Sequence, residues 1–461
     1  MLSSFLFVAA VAAAPTSEAP RTLRLDYFHT ASATEERFAR DGVVLEGPWP
    51  GNPDRPIDDT NLGKYLFDVV DRATNRTLYS RGFASICGEW ETTGEATREH
   101  RTFHESLRFP EPQGPVQVVV KKRGADGLFR EAWSTPVDPA DVGVDRTVLP
   151  AGRAWAVLEN GPPSEKVDLL LLGDGYTAAE MGKWRQDARR LADMLFSISP
   201  FKERKAGFNV WAIDTPSEES GVARPSDGIH RRSALRAAYD AFGSERYVLA
   251  FDNRRIREAA AAAPYDVMEI VVNGRTYGGG GIFNLYATVA SDNAFTPYVF
   301  VHEFGHHFAG LADEYYTSDV AYGSVPERHE PWELNVTASL GSPKWKDLVA
   351  AGTPLPTPWA KETFEASQKE IQARRRTIRA EKRPEQEMEA LFREEQQKVD
   401  ALLGAGPHAE AVGAFEGAMY EARGYYRAQA NCIMFTRHSE FCRVCRRAIE
   451  RVIDLYARPT S

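Results

Sequence analysis

The sequence predicts an all-β sandwich domain followed by an α/β domain with a mostly parallel sheet. Between residues 22 and 148, short apolar runs alternate with polar residues and are broken by glycine, proline, asparagine and aspartate, as in antiparallel strands joined by turns. From residue 160 onward, buried apolar strands alternate with segments of helical spacing, which indicates parallel strands connected by helices. We therefore expect a sandwich over 22–148 and a second domain over 160–461.

The composition is typical of a globular protein. Of the 461 residues, 43% are hydrophobic and 26% are charged. A formal net charge of −9 offers no basic surface to nucleic acid or to an anionic membrane. Beyond residue 15 no apolar run is long enough to span a bilayer. The sequence therefore predicts neither a nucleic-acid partner nor a membrane span.

Residues 1–14 are apolar and end in small residues, which is the pattern of a secretory signal peptide, although the usual positively charged start is missing. We predict from this segment that the protein is secreted or periplasmic. The sandwich that follows carries no catalytic set. His100 and His104 are four residues apart, but no third ligand or general base is placed with them. We interpret the sandwich as an accessory module.

The elements of the second domain can be assigned in order from their apolar spacing. The predicted strands lie at 167–173, 208–213, 247–250, 267–272 and 284–289, and the predicted helices at 178–197 and 253–263. A glycine run at 277–281 precedes the last strand. It lacks a P-loop lysine and opens no helix, so we interpret it as flexible backbone beside a cleft rather than as a phosphate loop.

A pattern with metal chemistry follows these strands, on a helix that opens from apolar residues 298–301. His302, Glu303 and His306 read H-E-x-x-H. Residues four apart lie on one helical face, so the two imidazoles can aim at one metal ion. Glu303 points to the flank of that site, where a carboxylate can take a proton from a water attacking a carbonyl. Two histidines, a third ligand and an open position predict a catalytic Zn²⁺ site.

The wider stretch over 302–315, H-E-F-G-H-x-x-x-G-L-x-D-E-Y, resembles the zinc signature of the bacterial IgA-peptidase family of metalloendopeptidases. Segments within 173–177, 416–427 and 432–445 resemble the same family. The similarity covers roughly residues 160–461, and the front third resembles the family's accessory N-terminal domain. The resemblance implies a zincin-like, metzincin-like fold with an antiparallel edge strand above the metal, at 284–289, and an aspartate as third ligand.

Asp313 is the third ligand that the resemblance implies. Metzincins place a histidine soon after the glycine that ends the zinc helix, but that position is Ala312 here, which cannot bind metal. Gly310 can end the helix in the left-handed conformation, and Asp313 then follows on the returning chain. Glu314 points the other way and is a candidate for a hydrogen bond to a ligating histidine. Glu333 remains the rival ligand, because some zincins take a glutamate from a later segment.

The C-terminal region supplies further candidates. Met434 resembles the methionine turn that lies beneath the metal in metzincins. Tyr426 or its neighbour Tyr425 is a candidate donor to the oxyanion that develops during attack, with Tyr315 and Tyr316 as alternatives.

The chain has four cysteines, and three of them lie close together near the C-terminus. Two alternatives stay open for these three. Cys432 can form a disulfide with Cys442 or Cys445, or the three cysteines can hold a structural zinc together with His438.

Two segments flank these motifs. The stretch 316–358 is long for a loop, which suggests a wall of the cleft. Residues 362–403 are highly charged, have helical spacing and are interrupted at Pro384. They predict an inserted pair of helices that projects into solvent.

These observations lead to one functional hypothesis, a secreted zinc-dependent endopeptidase. Its substrates would be extracellular proteins or peptides, for example immunoglobulin A-like or other host glycoproteins. The rivals are a catalytically silent protein that binds host proteins or glycans through the sandwich, and a zincin with glutamate as third ligand. An intact Glu303 and a complete ligand set weigh against the silent protein, which would need neither.

Overall fold

The computed structural model describes residues 20–147, 154–318 and 328–458. The predicted signal segment 1–14 lies outside the described residues. Within the three described ranges, no helix is both long and apolar enough to cross a membrane.

The N-terminal domain consists of two four-stranded sheets, as the alternating pattern predicts. The strand orders are β5-β1-β2-β8 and β4-β3-β6-β7. Apolar side chains from both sheets form one core, which includes Leu25, Phe67 and Val118. The elements are β1 Arg21–Ala31, β2 Glu36–Pro48, β3 Tyr65–Asp71, β4 Thr77–Phe83, α1 Ile86–Trp90, β5 Arg101–Pro110, β6 Val116–Arg123, β7 Phe129–Val137 and β8 Val144–Asp145.

The second domain is built on a six-stranded sheet in the order β15-β16-β14-β10-β11-β9. The four inner strands are parallel and the two edge strands are antiparallel. The elements are β9 Ala154–Leu158, β10 Val167–Asp174, α2 Met181–Leu195, β11 Phe208–Ile213, β12 Ala237–Ala238, β13 Leu249–Ala250, α3 Asn253–Ala260, β14 Val267–Val272, β15 Gly279–Ile282, β16 Tyr286–Ala290, α4 Thr296–Ala309, β17 Val336–Thr337, α5 Lys361–Ala380, α6 Glu385–Gly404, β18 Phe415–Ala418, β19 Glu421–Arg427 and α7 Arg443–Tyr456.

The edge strand beside α4 is not the one predicted. The segment 284–289 largely becomes β16, which pairs in parallel with β14 inside the sheet. The glycine run forms the antiparallel edge strand β15 instead. A Cβ atom at Gly281 would lie 2.3 Å from the carbonyl oxygen of Glu303 on α4. Because glycine has no side chain, β15 can lie close to α4. The glycine run therefore serves close packing and not backbone flexibility.

Helices α5 and α6 break at Pro384 as predicted, but they do not project into solvent. Their apolar faces belong to the core of the second domain. The Phe392 ring, for example, makes edge contacts with Tyr277 at 4.9 Å and with Phe295 at 5.6 Å between centroids. Most charged residues of this helix pair lie on its outer faces, but Arg375, Glu389 and Glu395 are buried. The high charge of the segment therefore hid its buried face from the sequence pattern.

The two domains share apolar and polar contacts. Side chains of α1, including Trp90, are buried in the same cluster as the core of the second domain. The backbone N–H of Ala84 donates to the Phe283 carbonyl at 2.9 Å, and the Asn284 side chain donates to the Gly82 carbonyl at 3.0 Å. The second sheet also starts earlier than residue 160, because β9 pairs with β11. The sandwich is thus docked on the turn between β15 and β16.

Candidate active site

Helix α4 places His302 and His306 on one face and ends where the sequence predicts. Its buried aromatic side chains, Phe300, Phe304 and Phe308, fix the opposite face in the core. Gly310 has φ 57°, and its N–H donates to the His306 carbonyl at 3.0 Å, a left-handed helix end. The chain then turns back along the helix, which carries the following residues toward the two imidazoles.

Three donor atoms meet at this turn: Nε2 of His302, Nε2 of His306 and Oδ1 of Asp313. We call them the ligand triangle. The two nitrogens are 3.2 Å apart, and each lies 3.1 Å from the oxygen. Neighbouring donors around a tetrahedral zinc with bonds of about 2.0–2.1 Å are about 3.3 Å apart. Two imidazoles and a carboxylate are also a usual donor set for zinc, so these residues fit that ion.

The other ring nitrogens of the two histidines contact backbone carbonyls. Nδ1 of His302 lies 2.9 Å from the Ile433 oxygen, and Nδ1 of His306 lies 2.5 Å from the Leu311 oxygen. A carbonyl only accepts, so each Nδ1 carries the proton and donates. When each ring is neutral, its Nε2 lone pair consequently faces the ligand triangle, which is the tautomer that a metal requires.

Asp313 is held in its ionised form by its neighbours. Burial raises the pKa of its carboxyl group, but the charge of His306 and hydrogen bonds from both histidines outweigh burial and place the pKa well below its usual range. Burial lowers the pKa of His306, and Asp313 reverses this and raises it to about 9. The second oxygen of Asp313 accepts a hydrogen bond of 2.5 Å from the Tyr420 hydroxyl.

Glu303 lies beside the triangle, with a carboxylate oxygen within 4.8 Å of the histidine donor atoms. Burial raises the pKa of its carboxyl group, Asp313 acts in the same direction, and the two imidazoles oppose them. A second acid, Glu269 on β14, is fully buried, and its pKa is raised by burial and by the charge of Glu303. Glu303 is therefore a carboxylate poised to accept a proton next to the donor set.

Met434 packs against the helix that carries both histidines. A Cβ atom at Gly305, between them, would lie 3.1 Å from the Met434 sulfur. The Met434 carbonyl accepts the N–H of Glu314 at 2.9 Å. The turn containing Met434 thus supports both α4 and the returning chain.

One predicted contact, that of Glu314, differs from the structure. Glu314 bonds neither histidine; its Oε1 accepts from Asn335 at 3.0 Å and lies 3.4 Å from the Cys445 sulfur. The Nδ1–H groups of both histidines already donate to backbone carbonyls, so neither can donate to the Glu314 carboxylate. Tyr426 lies on β19 opposite Thr337, and its role as a donor to the oxyanion stays a prediction. The hydroxyl at Asp313 is that of Tyr420.

Tyr420 was not predicted because it lies at the tip of the hairpin between β18 and β19. Met419 and Tyr420 both have positive φ, 51° and 65°. The Met419 N–H donates to the Asp313 carbonyl and the Tyr420 N–H to the Tyr315 carbonyl, each at 3.0 Å. Positive φ in residues other than glycine costs free energy, and such strain concentrates at functional sites. The available signal was a turn without glycine between two short strands.

The remaining candidates lie elsewhere. Among the described residues, Asp313 pairs with both histidines at 3.1 Å, whereas Glu333, the rival ligand, pairs with neither. The expected disulfide is also absent: all four cysteines are free. His438 pairs with Asp400 at 3.2 Å rather than joining the three C-terminal cysteines.

Comparison with known protein families accounts for almost the whole chain. The model of the family described as IgA peptidase M64 matches residues 156–453. The model described as peptidase M64 N-terminus matches residues 16–134, which include most of the sandwich. No curated protein matches the chain significantly. M64 peptidases are metallopeptidases, and the described residues include groups that could hold a metal ion. The chain therefore belongs to the IgA peptidase M64 family, with the family's N-terminal domain in front of its peptidase domain.

Proposed function

We propose that this peptidase is a zinc-dependent endopeptidase of zincin-like fold in which His302, His306 and Asp313 hold the ion. The ligand triangle is the observation that carries the proposal, because its three edges of 3.1–3.2 Å suit one small tetrahedral ion. The zincin-like assignment is supported by the glycine that ends α4, by the antiparallel edge strand β15 and by Met434 beneath the helix.

The roles follow from the positions of the side chains. Zinc in this site would supply a Lewis acid that polarises the scissile carbonyl and makes water more acidic. A Glu303 carboxylate oxygen accepts the proton of the attacking water and then delivers it to the nitrogen of the leaving amine. The Ile433 and Leu311 carbonyls hold the imidazoles in one tautomer, and Tyr420 fixes the orientation of the Asp313 carboxylate.

The substrate class and the location are part of this proposal. The apolar segment 1–14 supports export, and an exported peptidase meets extracellular proteins. We infer substrates that are proteins or peptides outside the cell, such as immunoglobulin A-like or other host glycoproteins.

The test uses the purified full chain with casein as a general protein substrate. We expect cleavage at internal bonds that stops when a chelator removes the metal and returns when zinc is restored. An inhibitor of serine peptidases serves as the control and should leave cleavage unchanged. Cleavage by protein that metal analysis shows to be free of zinc would overturn the proposal.

A further inference from the structure

A second group of potential metal ligands lies behind the ligand triangle. Four side chains, all buried, bring their ligand atoms within 4.8 Å of one another: Glu314, Cys432, Cys442 and Cys445. We call this group the cysteine cluster. Cys432 precedes Met434 in the turn beneath α4, Cys442 and Cys445 begin α7, and Glu314 follows Asp313. Three separate segments therefore converge on one point.

The spacing of the cluster is longer than that of a disulfide and suits one ion. The sulfurs of Cys432 and Cys445 are 3.7 Å apart, far beyond the S–S bond of about 2.05 Å. Around a tetrahedral zinc, with Zn–S of about 2.3 Å and Zn–O of about 2.0–2.2 Å, neighbouring sulfurs lie about 3.8 Å apart and sulfur and oxygen about 3.5 Å apart. The distance from the Cys445 sulfur to Oε1 of Glu314 is 3.4 Å. Both measured edges thus agree with a tetrahedral site.

Backbone N–H groups point at two of the sulfurs in the cluster. The N–H of Cys442 donates to the Cys432 sulfur at 3.2 Å, and the N–H of Cys445 donates to the Cys442 sulfur at 3.4 Å. Cys442 is the N-cap of α7, where the helix dipole stabilises negative charge. Oε2 of Glu314 is buried without a hydrogen bond, although such acceptors are rarely left alone.

We propose that the cysteine cluster is a second, structural zinc site. Four protein ligands close the coordination shell, which distinguishes a structural site from a catalytic one. Three thiolates and one carboxylate in tetrahedral arrangement select zinc over magnesium or calcium. A bound ion would also keep these cysteines from forming a disulfide outside the cell, since coordinated thiolates are withheld from oxidation.

This second site would brace the first one. Its ligand Cys432 is next to Ile433, whose carbonyl holds His302, and its ligand Glu314 is next to Asp313. The N–H of Glu314 also donates to the Met434 carbonyl. An effect of this site on catalysis depends on the proposed function, in which His302 and Asp313 bind the catalytic zinc. Metal binding by the cysteine cluster does not depend on that function.

Metal analysis of the intact chain tests the proposal. We expect the wild-type protein to retain two zinc equivalents per chain after dialysis, and the combined variant Cys442→Ser and Cys445→Ser to lose one of them. Cys87→Ser, which changes a buried cysteine outside the cluster, is the matched control and should keep both. The combined variant His302→Asn and His306→Asn should also lose one equivalent but keep the one bound by thiolates. A zinc content that does not depend on the C-terminal cysteines would overturn the proposal.

Cobalt substitution of the wild-type protein gives an answer even if the cysteine variants fail to fold. Co²⁺ bound by thiolates shows intense sulfur-to-metal charge-transfer absorption, whereas Co²⁺ bound by histidine and aspartate does not. We expect this absorption in the wild-type chain and also in the variant that lacks His302 and His306. The experiment therefore tests the cysteine cluster independently of the proposed catalytic site. Its absence from the wild-type chain, or a disulfide found by thiol titration in denaturant, would refute the structural zinc site.

Discussion

The Tyr420 hydroxyl lies 2.5 Å from Oδ2 of Asp313, the carboxylate whose other oxygen completes the ligand triangle. This hydrogen bond joins the β18–β19 hairpin to the returning chain after α4. A partner of this kind fixes the rotamer of a ligand, and its removal typically costs about 10–100-fold in metal affinity. Tyr420→Phe should therefore raise the dissociation constant for zinc by that factor, measured by competition with a coloured chelator. Tyr426→Phe is the control. If both variants weaken zinc binding equally, the hydrogen bond from Tyr420 does not specifically support Asp313.

Glu303→Gln should leave the fold and the zinc content unchanged while casein cleavage falls by at least about 100-fold. The amide keeps the size of the side chain but cannot accept the proton from water. Initial rates of cleavage and metal content, measured on the same sample, separate loss of the base from loss of the ion. If the variant cleaves casein as fast as the wild type, Glu303 is not the general base.

Asp313→Ala should lose zinc much more readily than the wild type, by more than the roughly 100-fold typical of supporting residues. The substitution removes one of three protein donors, and the two histidines alone hold zinc weakly. Glu333→Ala is the matched comparison and should retain the metal. The reverse pattern in an equilibrium zinc titration would assign the third ligand to Glu333.

The stability of the sandwich should depend on pH through His29. Its ring is buried, with Nδ1 3.1 Å from Glu105 and Nε2 3.2 Å from Glu36. Burial lowers the pKa of His29, but the Glu105 carboxylate outweighs it, and the pKa rises to about 12. The pKa of His29 is higher in the folded protein than the value of about 6.5 expected in the unfolded chain. Its contribution to the free energy of unfolding is therefore complete below pH ~6.5 and is lost as the pH rises through the pKa of the folded protein.

Urea unfolding at several pH values from about 6.5 to 10 measures this dependence. The free energy of unfolding should fall with pH in the wild type, by at most about 1.4 kcal/mol per unit from this group. His29→Gln should flatten that contribution and lower stability at neutral pH by about 3 kcal/mol, because it removes the positive charge beside the buried Glu105 carboxylate. His100→Gln, at an exposed pair with Glu35, should change stability by less than about 1 kcal/mol. Equal slopes in the wild type and His29→Gln would show that His29 is not the titrating group.

Gly281→Ala should destabilise the fold, because the added methyl group would lie 2.3 Å from the Glu303 carbonyl and 3.0 Å from Cβ of His306. Forcing β15 away from α4 should cost about 1–3 kcal/mol and reduce cleavage as well. Gly182→Ala is the control, since a methyl group there meets nothing within 4 Å and lies inside α2. Thermal unfolding of both variants tests this expectation. It is wrong if Gly281→Ala unfolds at the same temperature as the wild type.

Local patterns predicted most helices and strands of the second domain, and they placed His302, Glu303 and His306 on one helix. Helical spacing and the glycine at position 310 are properties of neighbouring residues, so sequence alone exposes them. Three features depended on contacts between distant segments. These are the edge position of β15, the approach of Tyr420 to Asp313 and the turning of Glu314 toward the cysteines.

The direction of the Glu314 side chain could be predicted from the sequence, but its partners could not. Adjacent residues on extended chain point to opposite sides, so opposite directions for Asp313 and Glu314 followed from their order. What lies on the far side did not follow, because Cys432 and Cys445 are more than a hundred positions away along the chain. Only the packing of α7 and the Met434 turn behind α4 brings those sulfurs to Glu314.

The hydrogen bonds between residues 82–84 and residues 283–284 have a consequence for protein engineering. They anchor the turn of the β15–β16 hairpin to the sandwich, so the two domains are not freely interchangeable parts. A chimera that carries a foreign sandwich without matching backbone at these positions would leave the Phe283 carbonyl and the Asn284 amide without partners. Each such loss costs about 1–3 kcal/mol where the group stays buried. Exchanging the sandwich therefore calls for keeping the backbone of residues 82–84, which bonds to the hairpin turn.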